Sequence, residues 1–139
     1  METDICIREY ADFDLKEITD LYEAVGWVNY TARAGLLKDA YEHSLCVLGA
    51  YCGDRLIGII RAVGDGVSVV FIQDLIVHPE YQRQGVGTRL LRSVMERYKT
   101  VYQMELLTDD TEKTTAFYRS AGFVPADEIG CISFVRMKH

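Results

Sequence analysis

Proline is scarce in this 139-residue sequence, with only Pro79 and Pro125 present. That excludes a proline-rich linker or polyproline recognition segment, and no internal repeat or low-complexity tract divides the chain. No apolar run approaches the ~18 residues of a membrane-spanning helix. The start, Met1-Glu2-Thr3-Asp4, is acidic where a secretory signal is basic and then apolar, so a cytosolic, cytoplasmic protein is expected. Excess positive charge is missing too. Lys and Arg number 15 against 21 Asp and Glu, a formal net charge of −6. That field repels nucleic acid and anionic membranes and attracts cationic partners, amines among them. The four cysteines, Cys6, Cys46, Cys52 and Cys131, form no CxxC pair and no histidine stands at zinc-finger spacing, so no metal site is expected. All four sit in apolar, strand-like runs and read as buried, reduced thiols.

What is present is the balance of one globular domain over residues 1–139: 49% hydrophobic and 26% charged residues, enough for a single core. Residues 5–8 read as a first strand. Leu15, Ile18, Leu21, Tyr22 and Val25 form a helical stripe, with Asp14 as N-cap, Glu17 three residues on and Gly26 as the stop. Thr31 reads as the cap of a second helix carrying Leu36, Leu37, Ala40 and Tyr41. Residues 45–52 and 56–63 flank Gly53-Asp54 as a hairpin, and Gly64-Asp65-Gly66 turns the chain into residues 67–77. That run is long, apolar and β-branched, which predicts a central strand buried on both faces. Val86, Leu90, Leu91, Val94, Met95 and Tyr98 make the clearest amphipathic stripe. A strand at 103–108, a helix at 114–121 ended by Gly122 and a last strand at 132–136 complete an α+β arrangement. It is a mixed, mostly antiparallel central sheet flanked by helices, with one strand-helix-strand crossover.

The informative stretch follows the third of these antiparallel strands: Val77-His78-Pro79-Glu80-Tyr81-Gln82-Arg83-Gln84-Gly85-Val86-Gly87-Thr88. The first turn of a helix presents N–H groups without intrahelical partners, and the helix dipole adds positive potential there. Such a place binds phosphate without a basic side chain. Gly85 and Gly87 allow close approach to the backbone, and Arg83 adds charge. A P-loop needs Lys before Ser or Thr, but Gly87 precedes Thr88. A dinucleotide fingerprint needs a small residue where Leu90 stands.

The spacing Gln82-x-x-Gly85-x-Gly87 resembles the pyrophosphate-binding motif of the GNAT superfamily, the GCN5-related N-acetyltransferases. Phe117-Tyr118-Arg119-Ser120-Ala121-Gly122-Phe123 resembles the family's second signature, and the element order is similar over essentially the whole chain. The resemblance implies an acetyl-CoA-dependent N-acetyltransferase acting on a small-molecule amine by direct transfer in a ternary complex. It implies that acyl-CoA lies where residues 67–77 and 103–108 splay apart. Leu75, Ile76 and Val77 would contact the pantetheine arm, and the amides of Arg83, Gln84, Gly85, Val86, Gly87 and Thr88 the diphosphate. The amide of Leu75 or Ile76 would polarise the thioester carbonyl.

By the same resemblance Tyr118 protonates the leaving thiolate, with Phe117 beside it. Thr111 stands where family members often carry an Asn that helps hold pantetheine; it can still cap the helix and offer a hydroxyl. Asp74, the one carboxylate inside the apolar strand, is the leading candidate for the base. His78 and a water relay to Asp74 or Glu23 are the alternatives. Glu23, Trp27 and Tyr30 are candidates for the acceptor pocket; both aromatics also suit a core or a dimer interface. A late strand at 132–136 would suit a homodimer. A catalytically silent acyl-CoA-binding module and a protein or peptide N-acetyltransferase are the other functional readings.

Overall fold

The computed structural model describes residues 4–138, leaving out the side chains of Tyr30, Thr31 and Ala34. The described residues fall into two compact units, one ending at Leu107 and the other beginning at Thr108. The first unit holds the sheet: β1 (Ile5–Glu9), β2 (Cys46–Cys52), β3 (Arg55–Gly64), β4 (Val69–Val77) and β5 (Gln103–Leu106). Their order in space is β1-β2-β3-β4-β5, antiparallel except for β5, which runs parallel to β4. Helices α1 (Leu15–Ala24), α2 (Val28–Thr31) and α3 (Ala34–Glu42) join β1 to β2, and α4 (Val86–Arg97) links β4 to β5. This is the expected α+β mixed sheet.

Each helix forms for local reasons that also aim it. The Asp14 carboxylate accepts the Glu17 amide at 3.1 Å and so caps α1. The stripe Ile18, Leu21 and Tyr22 is then buried against Leu37 and Tyr41 of α3 and against Val47, Tyr51, Leu56, Ile59 and Ile76 of the sheet. On the other sheet face, α4 buries Val86, Leu90, Leu91 and Val94. A Cβ at Gly58 would come within 3.2 Å of Leu90, which places Gly58 beneath that helix.

Two irregularities in register matter more than the regular pairs. Between β3 and β4 the partners change from Ala62↔Ile72 to Arg61↔Asp74, so one extra residue, Gln73, is accommodated on β4 as a bulge. Side chains that would otherwise alternate regularly change faces there. Ile72 shares a face with Ala62, whereas Asp74 and Ile76 share the opposite face with Arg61 and Ile59. A second shift lies between Ala50 and Tyr51 on β2 and their β3 partners.

Several expectations are corrected. The expected both-face burial fails for β4, where Val69, Phe71, Leu75 and Val77 are only half-buried. The continuously buried strands are β2 and β3, each paired on both sides, whereas β5 covers β4 only as far as Ile72. Arg33, not Thr31, stands at the N-cap of α3, and Thr31 ends α2 instead. Only Cys46 is buried; Cys52 is half-buried, Cys6 and Cys131 are exposed, and all four are free thiols. Cys6 is exposed because β1 is an edge strand.

In the second unit, α5 (Glu112–Ser120) forms as expected, followed by a 3-10 turn at Ala126–Ile129. Residues 131–138 form no strand. A strand exists through its ladder, and among the described residues none pairs with this segment. No described residue of the second unit is buried.

The turn glycine Gly64 sets a sharp stability contrast. Its φ is +132°, and a Cβ there would lie 2.4 Å from the Val69 carbonyl oxygen. Gly64→Ala should cost about 2 kcal/mol or more. Gly35, inside α3 with open space around it, should gain about 0.5–1 kcal/mol as Gly35→Ala. Urea denaturation of the two variants checks both signs.

Candidate active site

The site in the first unit begins where β4 loses a neighbour. Its pairing with β3 continues to Val77, opposite Gly58, but its pairing with β5 ends at Ile72, opposite Leu106. Past that point one edge of β4 is open. The His78 amide donates to the Ile57 carbonyl at 2.8 Å, so it points toward β3. Strand alternation then turns the amides of Leu75 and Val77 toward the open edge and that of Ile76 toward β3. Of the two amides considered for polarising a thioester, only Leu75's faces the gap.

The glycine segment lies directly beyond. A 3-10 turn at Pro79–Tyr81 leads into the loop, and Gly85 forms the N-cap of α4 with a left-handed φ of 78°. A Cβ at Gly85 would meet nothing within 4 Å, so the backbone is open to approach. The first intrahelical amide is Arg89's, donating to Gly85 at 3.0 Å. The amides of Val86, Gly87 and Thr88 therefore have no acceptor within the helix. Arg83 adopts φ 65°, the one non-glycine residue with positive φ among those described; such a conformation costs roughly 1 kcal/mol or more and is typical of functional loops. Gln82 has a role that its motif did not reveal: its side-chain amide donates to the Val77 carbonyl at 3.0 Å, tying the loop to the end of β4. This cradle of open amides fits a diphosphate, and the open edge fits an extended arm carrying amide groups of its own.

Asp74 does not face the gap as an isolated carboxylate. It is 1% exposed and Arg61 is 5% exposed. Arg61 Nε donates to Asp74 Oδ2 at 2.7 Å, and the Tyr22 hydroxyl donates to the same oxygen at 2.8 Å. The Tyr41 hydroxyl lies 2.7 Å from that of Tyr22, and since the Tyr22 proton is committed to Asp74, Tyr41 is the donor of that pair. Arg61 also donates to Ser44 Oγ at 3.2 Å. Asp74 Oδ1 is buried without a hydrogen-bond partner. Burial first, then the charges of Tyr41 and Asp74, push the Tyr22 phenol far above its ordinary range. Burial likewise raises Tyr41. Burial works against the Arg61 charge, but the Asp74 carboxylate outweighs it and the guanidinium is held more firmly protonated.

The alternative base, His78, is tied into the turn: its Nδ1 accepts the Glu80 amide at 3.1 Å, and its Nε2 lies 3.3 Å from the Arg55 guanidinium. It lines a groove of about 370 Å³ with Asp14, Glu17 and Asp20 of α1. Those acids are partly engaged, Asp14 as a cap and Asp20 with Lys16 at 2.7 Å. Among the acceptor candidates, Glu23 is exposed. Trp27 is 39% exposed and stands edge-on to Tyr22 at 6.1 Å. The side chain of Tyr30 lies outside the described residues.

In the second unit, Thr111 caps α5, accepting the Thr114 amide at 3.2 Å. Thr114 Oγ1 donates to the Asp109 carbonyl at 2.6 Å. The Tyr118 ring lies edge-on to Phe117 at 4.9 Å and to Phe123 at 6.0 Å. Burial pushes its phenol up, which keeps it protonated at neutral pH and able to donate.

The sequence profile of the Acetyltransferase (GNAT) family matches residues 12–123, a span holding β2 to β5, the glycine loop and α5. The chain belongs to this family. Members of the GNAT family use acetyl-CoA, the ligand that the open edge and amide cradle fit. A GNAT family protein of known structure from Streptococcus pneumoniae, SP0256, is 41% identical, with a TM-score of 0.87 over 97% of this chain and 98% of its own. An N-acetyltransferase of the ycf52-like type from Prochlorococcus marinus is 34% identical over 79% of the chain. The chain spans 62% of that relative's length. A soybean protein named histone acetyltransferase TAP1 is 31% identical over 81% of the chain and 52% of its own length.

The Thr111 cap should be worth about 1 kcal/mol to α5. Thr111→Ala should speed amide hydrogen exchange at residues 114–118 roughly fivefold while leaving α4 unchanged.

Proposed function

We propose that this chain is an acetyl-CoA-dependent N-acetyltransferase that moves an acetyl group onto the primary amine of a small molecule by direct transfer in a ternary complex. The observation that carries the reading is the continuity of an open strand edge with an amide-lined helix mouth. β4 loses β5 after Ile72 and leads through one turn to the unbonded amides of Val86, Gly87 and Thr88. Bound there, acetyl-CoA supplies the activated thioester.

The residues of this chain take the following roles in that reading. The backbone from Arg83 to Thr88 holds the diphosphate, and Leu75, Ile76 and Val77 run beside the pantetheine arm. The outward N–H of Leu75 donates to the thioester oxygen as charge develops on it. Tyr118, a phenol that carries its proton at neutral pH, gives that proton to the departing thiolate. Thr111 and Phe117 are assigned to the same cofactor side. Exposed Glu23 receives the ammonium proton through water, and Trp27 shapes the acceptor pocket.

The net charge of −6 favours cationic acceptors, and a rice relative at 28% identity is named for serotonin. The soybean relative's name supports a protein acceptor as the second reading. Among the described residues no helix is long and apolar enough to cross a membrane, and four free thiols suit a reducing, cytoplasmic compartment.

Isothermal calorimetry should give micromolar affinity for acetyl-CoA, and a screen of amines, amino acids and peptide N-termini should give acceptor-dependent thiol release. Tyr118→Phe should lower kcat at least tenfold with acetyl-CoA affinity within about twofold. Tight binding with no release for any acceptor would make the chain a silent acyl-CoA-binding module. Release with peptides alone would make it a protein acetyltransferase.

A homodimer is supported by residues 131–138. Ile132, Phe134, Val135 and Met137 are exposed, Phe134 to 89%, and exposed apolar runs of this kind mark association surfaces. Light scattering should give twice the 15.8 kDa chain mass, and Phe134→Asp should return the monomer.

A further inference from the structure

We propose that Asp74 is a positioning residue: with Arg61, Tyr22 and Tyr41 it forms a buried clamp that holds the β4 bulge and so aims the Leu75 amide at the reacting carbonyl. This rests on the acyl-transfer reading above and changes the role that the sequence suggested for Asp74.

The argument against proton transfer starts from the partner. Arg61 Nε sits 2.7 Å from Asp74 Oδ2 with both side chains nearly inaccessible. Protonating Asp74 would leave a guanidinium buried beside a neutral acid, a penalty that a mobile proton acceptor must not carry in every turnover. The oxygen facing Arg61 also accepts the Tyr22 hydroxyl, so its lone pairs are engaged by two donors. Tyr22 and Tyr41 stay protonated, because burial is the first cause of their raised affinity for the proton. They form a fixed chain of donors ending on the carboxylate.

The argument for positioning comes from where the clamp grips. Arg61 and Asp74 are register partners at the step where β3 and β4 change alignment. The extra residue turns Asp74 toward α1 and α3, where the Tyr22 hydroxyl meets it and the Tyr41 hydroxyl meets that of Tyr22. Relaxing the bulge by one residue would turn every following side chain and amide to the opposite side. Leu75, the next residue, would then present its N–H to β3 and not to the gap. A buried ion pair is a poor source of stability compared with apolar packing of the same volume. What the pair adds here is directional: an apolar substitute fills the space without choosing between the two alignments. The clamp also links the core under α1 and α3 to the gap on the open edge, since Asp74 is followed directly by Leu75, whose amide faces that gap.

The test uses the full chain with Tyr22→Phe, Asp74→Asn and the double variant Arg61→Met/Asp74→Leu, which removes both charges and keeps the fold even where Asp74→Asn unfolds. Amide hydrogen exchange at Asp74 and Ile76, whose amides face β3, should rise about tenfold in each variant, with α4 unchanged. Turnover should fall at least tenfold, acetyl-CoA affinity should stay within about threefold, and the pH dependence of kcat should keep the wild-type shape. Loss of the acidic limb of that profile in Asp74→Asn would make Asp74 the proton acceptor and overturn the proposal. Unchanged exchange at Asp74 and Ile76 would overturn it as well, whether or not any acceptor is turned over. Absence of acetyl-CoA binding or thiol release by the wild-type chain would instead sink the acyl-transfer reading, while the exchange measurement would still decide whether the clamp holds the bulge.

Discussion

Backbone pairing along β4 is two-sided as far as Ile72 and one-sided beyond it. Each peptide group of a strand must find a partner or meet solvent, so the end of β5 creates a row of hydrogen-bonding groups that the fold itself leaves open. The rest of the candidate site in the first unit is arranged around that row. The 3-10 turn carries the chain off the end of β4, Gln82 reaches back to the last strand carbonyl, and Gly85 starts α4 with its free amides close behind. An extended, amide-bearing ligand with a diphosphate at one end matches this sequence of features in order. No basic pocket is required, which is consistent with a chain whose net charge is negative.

The bulge at Gln73 adds the second constraint. It lets one strand serve two cores, with Val70 and Ile72 buried on one sheet face and Asp74 and Ile76 on the other. Apolar side chains alone would satisfy either alignment, since Ile and Val suit both faces. The charged pair Arg61–Asp74 does not, because Asp74 accepts the Tyr22 hydroxyl, itself bonded to that of Tyr41, and those hydroxyls stand on one face only. Specificity of alignment is thus supplied by polar groups in a core that is otherwise held by Ile18, Leu37, Ile59 and their neighbours.

How much of this could be read from the sequence depended on how local each feature was. The glycine loop was legible because its chemistry is carried by a few consecutive residues: glycines without Cβ, a helix start and its unpaired amides. The Asp14 and Thr111 caps were legible for the same reason, each acting on an amide three residues away. The bulge was not, because it is a relation between β3 and β4, and the apolar run from Val67 to Val77 reads as one uninterrupted strand. Asp74 therefore appeared as a lone carboxylate near the chemistry. Its partners, Arg61 and Tyr22, lie 13 and 52 residues away, and only pairing brings them together. The run at 132–136 failed in the opposite direction: its composition favours a strand, but a strand also needs a neighbour.

Asp74 and Tyr118 stand in different surroundings: Asp74 is buried beside a guanidinium, Tyr118 half-buried among aromatic rings. Burial disfavours the charged form of any side chain. For Tyr118, whose neighbours in its unit are the aromatic rings of Phe117 and Phe123, this keeps the proton on the phenol, which is the form that can protonate a thiolate. Asp74 instead has a buried guanidinium beside it, with Arg61 Nε at 2.7 Å from Oδ2, and the Tyr22 hydroxyl donates to the same oxygen. Held by two donors, the carboxylate is suited to keeping its place, as an anchor does. A residue type inside an apolar strand is thus not sufficient to name a proton acceptor; the charge standing opposite it in the register decides. In this fold that charge is Arg61, one strand over, at the point where the alignment shifts.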